Sequence, residues 1–347
     1  MDVIKTTLKH KDAKIEIEKL TSGKNRITVT LLDKTLFMPY GICETTYPVN
    51  LIEQILSVKG PGWLCDEIMR DESINYAQDN LRYDVLSYVS EDEFKNKSIL
   101  DFGCGSGAST MTLCRMLPFT KIVGIEIDDK LLSIARSRAR HHGFDKVTLL
   151  HSQNANDLPG DIGEFDYIIL NAVYEHLLPL ERKTLLPRMW DLLRPNGILF
   201  ISETPYRYFP VEFHTTGLPF INYLPDKISL FYAHNFSIRN LKDLTWEDLL
   251  RKGIRGGSIN EILKILNNSE YKPVLLEPSR LGVKDRFDLW HIHMNNYLER
   301  SYQRRLNKRS FIFIRNILLL SSKLLKALIG PNLLPRLSIA IKKLPFD

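Results

Sequence analysis

Two groups of residues in this 347-residue chain have the types and spacing of reactive or ligand-binding sites. The first is Asp101-Phe102-Gly103-Cys104-Gly105-Ser106-Gly107, followed at a distance by Glu126. Glycines at alternate positions let the backbone pass close to a bulky ligand, where a Cβ would collide. An acid at the tip of the next strand is placed to accept hydrogen bonds from ribose hydroxyls. The second group is Glu175-His176, together with the distant His214. An imidazole titrates near neutrality, so either histidine is a candidate general base. His176 is the first candidate and His214 the second, with Glu175 orienting the base or the ligand. Plainer roles stay open beside these: a tight strand–helix turn for the glycines, and a helix cap for His176.

The surrounding pattern supplies the elements to hold both groups. Ser98-Ile99-Leu100 reads as a buried strand, Ala108 to Leu117 as a helix, and Ile122 to Ile125 as a strand ending at Glu126. That is a nucleotide-binding βαβ unit. A helix over Asp129 to His142, with a solvated basic face at Arg136, Arg138 and Arg140, precedes a third strand, Val147 to Leu150. Phe165 to Leu170 is a nearly continuous apolar run, typical of a strand covered on both faces. Asn171 to Leu177 then crosses its C-terminal end, where ligands of doubly wound sheets sit. A helix from Glu181 to Leu193 leads through Arg194-Pro195-Asn196-Gly197 to a fifth strand, Ile198 to Ser202.

The dinucleotide pattern G-x-G-x-x-G/A is met by Gly103, Gly105 and Ala108, and is weak alone. Asp101 adds a D-x-G-x-G-x-G strand end, which resembles motif I of the class I S-adenosylmethionine (SAM) dependent methyltransferases. Phe165-Asp166 through Val173-Tyr174-Glu175-His176 resembles that family's F-D-x-V-x-x-x-x-V-x-E-H segment, and the L-x-P-x-G turn at Leu193 to Gly197 fits as well. The resemblance covers about Ile99 to Glu203, and within the family the chain is similar to the ubiquinone-biosynthesis O-methyltransferase group. It implies an α/β fold: a Rossmann-like, doubly wound, seven-stranded methyltransferase sheet, closed by an antiparallel edge from Val274 to Leu276 and Asp288 to Met294. It also implies S-adenosyl-L-methionine as cofactor, bound by Asp101, Gly103, Cys104, Gly105, Gly107, Glu126, Ile127 and Asn171. An acid near a cationic sulfonium makes electrostatic sense, whereas near a pyrophosphate it does not. Gln153 or Asn154 stands where the family has an adenine-binding acid, in a loop one residue longer than usual. Tyr76 and Arg82, on a helix expected over Asp71 to Val89, are placed to reach the cofactor's carboxylate; a half-buried Tyr and a solvated Arg are the plainer alternative.

Outside the resemblance, residues 1–47 alternate apolar and polar, which argues a β extension with a turn near Ser22-Gly23. Residues 48–299 form the expected catalytic domain. Within it, Thr204 to His234 has no regular period, and residues 205–245 are expected to cover the substrate. From residue 300 to the end stand eleven Lys/Arg against one acid, so of the net charge of +6 this tail supplies +10 and residues 1–299 supply −4. Its apolar run reads as a basic amphipathic helix, on a membrane surface or as a helical cap or dimer contact.

Four scattered cysteines, with no C-x-x-C pair, give neither a disulfide framework nor a zinc site. His291 and His293 read as alternating on one strand face without a third ligand, so no metal is expected. The N-terminus lacks an apolar signal core, and a cytoplasmic protein, with membrane association through the tail, is the expectation. A mildly acidic body argues against a nucleic-acid substrate. The expected reaction is methyl transfer to a small molecule, a lipid or a lipid-linked sugar, at a hydroxyl. The alternatives are an NAD(P)-dependent nucleotide-sugar oxidoreductase and a non-catalytic SAM-binding scaffold.

Overall fold

A computed structural model describes residues 5–33, 36–154, 158–267, 270–302, 316 and 334–346. The chain divides into two compact units, residues 1–81 with 104–151, and residues 82–103 with 152–347.

The first unit begins with β1 (Lys5–His10), β2 (Ala13–Lys19), β3 (Asn25–Leu31) and β4 (Ile42–Thr45), an antiparallel sheet in sequence order. Period-two alternation puts Ala13, Ile15 and Ile17 on one buried face, paired with Ile27 and Val29 of the next strand. That face packs on α1 (Val49–Lys59) and α2 (Leu64–Glu72), through Leu51, Ile52, Ile55, Leu64 and Ile68. Each fully buried aliphatic side chain contributes about 1.5–3 kcal/mol. The unit also holds α4 (Ala108–Met116), β6 (Lys121–Glu126), α5 (Asp129–His142) and β7 (Thr148–His151). Asp128 caps α5 by accepting from the Lys130 N–H, and Gly143 ends it in the left-handed conformation.

Arg138 is not on a solvated face. It is fully buried, with its guanidinium donating to the Ser106 carbonyl at 3.1 Å and the Glu67 carbonyl at 2.8 Å, and 3.2 Å from the Glu67 carboxylate. Burial would raise the Glu67 pKa, but Arg138, Lys59 and the Ser106 hydroxyl outweigh it and bring it down to about 2. Asp71 sits in the same network, 2.7 Å from Arg115 and 2.8 Å from His142, and is likewise held well below the usual carboxylate range.

The second unit contains β5 (Ser98–Phe102), β8 (Phe165–Asn171), α6 (Pro179–Leu192), β9 (Leu193–Pro205), α7 (Asp226–Phe236), α8 (Trp246–Arg251), α9 (Ile259–Leu266), β10 (Tyr271–Leu276), α10 (Arg286–Tyr302) and β11 (Arg336–Pro345). The main sheet has seven strands; within this unit their order is β10-β11-β9-β8-β5, and in the first unit β6 pairs in parallel with β7. Strands β5, β8 and β9 pair in parallel, whereas β11 lies antiparallel between β9 and β10. Ile168, Ile169, Leu170, Leu199, Phe200 and Ile201 are buried, as strands covered on both faces must be.

Four further expectations change. The helix expected over Asp71 to Val89 breaks between α2 and α3 (Asp79–Leu86), where Ser73 is extended and Tyr76 leaves helical angles. Asp288 to Met294 lies inside α10, so His291 and His293 are helical rather than alternating on a strand. The last strand comes instead from the tail: Arg336–Pro345 is β11, not part of a basic helix. There Lys343 is buried and donates to the Trp190 and Leu193 carbonyls, both at 2.6 Å. Most of the remaining tail, 303–315 and 317–333, lies outside the described residues. Within the irregular stretch Thr204 to His234, residues from Asp226 onward form α7. No helix among the described residues is long and apolar enough to cross a membrane.

Candidate active site

The glycine turn leaves β5 with Asp101 buried at its end. Gly103 takes φ +72°, and a Cβ there would come within 2.7 Å of Val173 Cγ2. Gly107 takes φ +84°, and its Cβ position falls 2.7 Å from Ala135. Gly105 differs: a Cβ there meets nothing within 4 Å, so room is left beside the backbone at the middle of the turn. In the first unit the Gly105 N–H donates to Glu126 Oε2 at 2.7 Å, while Glu126 Oε1 accepts from the Ile127 and Asp128 N–H groups at 2.8 and 3.0 Å. Those three bonds hold the carboxylate at the strand tip. Cys104 is buried, and Ile127 is about half exposed.

The other expected cofactor residues fall as follows. Gln153 and Asn154 are exposed, with the Asn154 carbonyl accepting from the Ser152 hydroxyl at 3.0 Å. Asn171, at the end of β8, accepts from the Ser202 hydroxyl at 2.9 Å. The Tyr76 hydroxyl is committed to Asp66 at 2.7 Å, and Arg82 is exposed on α3.

Glu175, His176 and His214 come together in the second unit, with ligating atoms within 4.8 Å of one another. His176 Nδ1 lies 2.7 Å from the Arg251 carbonyl. A carbonyl only accepts, so Nδ1 carries the proton and, in the neutral ring, Nε2 presents its lone pair. Nε2 is 3.7 Å from Oε1 of Glu175, which is fully buried. The other oxygen, Oε2, accepts from the Thr204 hydroxyl at 3.0 Å, while Oε1 accepts no hydrogen bond. Burial pushes the Glu175 carboxyl above its ordinary value, against the opposing pull of His176. The His214 ring centre is 5.7 Å from that of His176. Its pKa is lowered by desolvation first and then by His176, Arg336 and Arg239.

Several residues with no sequence signal of their own build this cluster. Glu212 accepts from the N–H groups of His214, Thr215 and Thr216 at 2.6–2.8 Å and so fixes the His214 backbone. Arg251 is clamped by both oxygens of Glu181 at 2.5 and 2.6 Å, which steadies the carbonyl under His176. Gly253 has φ +87°, and a Cβ there would lie 3.0 Å from both Glu175 Cγ and His214 Cδ2. Arg182 stacks 4.5 Å over the ring of Tyr174 and donates to the Leu177 carbonyl at 2.9 Å, bracing the loop from behind.

Residues 99–197 match the family model described as a methyltransferase domain. A carboxy-S-adenosyl-L-methionine synthase of Photorhabdus laumondii is 32% identical over 108 residues, 31% of this chain and 43% of that protein. A ubiquinone biosynthesis O-methyltransferase of Pelagibacter ubique is 24% identical over 211 residues, 56% of this chain and 85% of the relative. A demethylmenaquinone methyltransferase of Lactococcus lactis is 27% identical over 192 residues, covering 52% and 71%. Among solved structures, an O-methyltransferase family protein from Burkholderia thailandensis aligns with a TM-score of 0.40 at 13% identity, over 62% of this chain and 56% of that one. The chain thus spans less than half the length of the first of these relatives. Residues 99–197 are a class I SAM-dependent methyltransferase domain, and S-adenosyl-L-methionine is the cofactor of that class.

Proposed function

We propose that this protein transfers a methyl group from S-adenosyl-L-methionine to a hydroxyl of a small-molecule acceptor, with His176 as general base. The observation that carries this reading is the pinned tautomer: Arg251 holds the proton on Nδ1, and Nε2 faces a fully buried carboxylate. Asp101, Gly103, Cys104, Gly105, Gly107, Glu126 and Ile127 are proposed to hold the cofactor. The space beside Gly105 and the fixed carboxylate of Glu126 support that assignment. Gln153 or Asn154, Asn171, Tyr76 and Arg82 remain proposals by resemblance; Tyr76 would first have to leave Asp66.

S-Adenosylmethionine supplies a methyl group already activated on a sulfonium. The protein's own residues have to orient the acceptor and remove its proton. As the acceptor oxygen attacks, its proton passes to His176 Nε2, and the Glu175 carboxylate beside the ring favours the imidazolium that forms. His214 lines the same cluster as a neutral imidazole and is proposed to position the acceptor.

The relatives named for quinone biosynthesis support a small-molecule acceptor. A lipid or lipid-linked sugar is the finer proposal, supported by exposed apolar side chains in the segment that carries His214: Phe213, Phe220, Tyr223, Phe231, Phe236 and Ile238. Membrane contact through the undescribed tail residues belongs to the same proposal. Incubating the full chain with SAM labelled on the methyl group and a cell extract, then identifying the labelled product, tests the reading. A labelled methyl ether supports it; label on nitrogen or carbon overturns the hydroxyl assignment, and SAM binding without transfer leaves a non-catalytic scaffold.

A further inference from the structure

A second cluster in the same unit supplies none of the groups assigned to the transfer above. Asp84 on α3, Glu203 on β9 and His293 on α10 bring their ligating atoms within 4.8 Å of one another. Asp84 is 2% exposed, yet neither of its oxygens accepts a well-formed hydrogen bond. His293 Nε2 is also buried without a hydrogen bond; it lies 3.3 Å from Asp84 Oδ1 but is not aligned for one. Glu203 occupies the left-handed region at φ +59°, which a glutamate adopts only at a cost of about 1–3 kcal/mol. That backbone turns the carboxylate toward Arg336, with which it is ion-paired.

Buried polar atoms that go unpaired are costly, and a buried carboxylate more so. Burial accordingly pushes the Asp84 carboxyl above its ordinary value, with His293 pulling the other way. Two carboxylates face one guanidinium and one imidazole, leaving a net negative charge when the ring is neutral. Three ligands from three separate elements, one nitrogen and two oxygens, form the donor set of a borderline divalent metal ion. Arg336 then acts as the outer partner that orients the ligating carboxylate.

We propose that Asp84, Glu203 and His293 form a binding site for a divalent transition-metal ion, which ties α3 and α10 to the end of β9. The site shares no ligand with the Glu175, His176 and His214 cluster but adjoins it, since Thr204, which donates to Glu175, follows Glu203 in the chain.

The test uses the full chain and Mn2+ alone, with binding followed by electron paramagnetic resonance and the number of coordinated imidazoles read from nitrogen couplings. One ion per chain is expected, coupled to a single histidine. Asp84→Asn and His293→Gln should each weaken binding at least tenfold, whereas His214→Gln should leave it unchanged. Absence of saturable binding in the wild-type protein overturns the proposal. So does binding that survives both substitutions, or binding that couples to two histidines and is lost in His214→Gln. If either variant loses its native circular dichroism, the imidazole count in the wild-type protein decides.

Discussion

The imidazole of His176 is held through Nδ1 by the main-chain carbonyl of Arg251, 2.7 Å away and seventy-five residues further along the chain. That single bond sets which nitrogen can take a proton. Arg251 is in turn fixed by its two contacts to Glu181, at the start of α6, so the orientation of the proposed base depends on a helix rather than on the loop that carries it.

Replacing His176 with alanine should lower the rate of methyl transfer about a hundred- to ten-thousandfold, the usual range for a general base. SAM affinity should stay within a few-fold, because the base acts on the acceptor. Steady-state kinetics and calorimetry on the same preparation separate the two. A variant that loses both together would place His176 in cofactor binding.

Gly253→Ala should impair the cluster although it removes no candidate catalytic group. The added Cβ meets Glu175 and His214 at 3.0 Å in a backbone conformation that alanine rarely adopts. A loss of about 1–3 kcal/mol in unfolding free energy is expected. A drop in transfer rate of tenfold or more should accompany it, measured by thermal unfolding and labelled-methyl assay.

The buried Glu67–Arg138 pair should make stability fall in acid. Glu67 has its pKa lowered from 4.5 to about 2 in the folded protein, so its contribution is present above pH 4.5 and is lost as pH falls toward 2. The amount is on the order of 3 kcal/mol. Arg138→Met, which leaves the carboxylate buried and unpaired, should cost about 3–5 kcal/mol at neutral pH. Denaturant titrations at several pH values would show both effects. A flat profile between pH 5 and pH 2.5 would contradict this account of the pair.

Much of this molecule is written locally in the sequence. The glycine turn, the strand-end acids and the Glu175-His176 pair all announce themselves by spacing, because the constraint on each is a short stretch of backbone. Arg138 was legible by helix geometry: residues two apart on an α-helix point about 200° away from each other. Arg136 and Arg140 can therefore share a face that Arg138 cannot. The alternation of Leu337, Ile339 and Ile341 marks a strand in the same way, but it is submerged in a longer apolar and basic run that also fits a helix. Trp290-His291-Ile292-His293 is ambiguous for the same reason, since four residues cannot separate a period of two from one of 3.6. The meeting of His214, Gly253 and Arg251 around Glu175 had no local signature, since each reaches the cluster only after chain turns that depend on the whole fold.

The most direct measurement of the central claim is an isothermal titration of the full chain with S-adenosyl-L-methionine and, separately, with NAD. The account predicts saturable binding of one SAM per chain and no heat from NAD, with Glu126→Ala weakening SAM at least tenfold. Saturable uptake of NAD, with none of SAM, would contradict it.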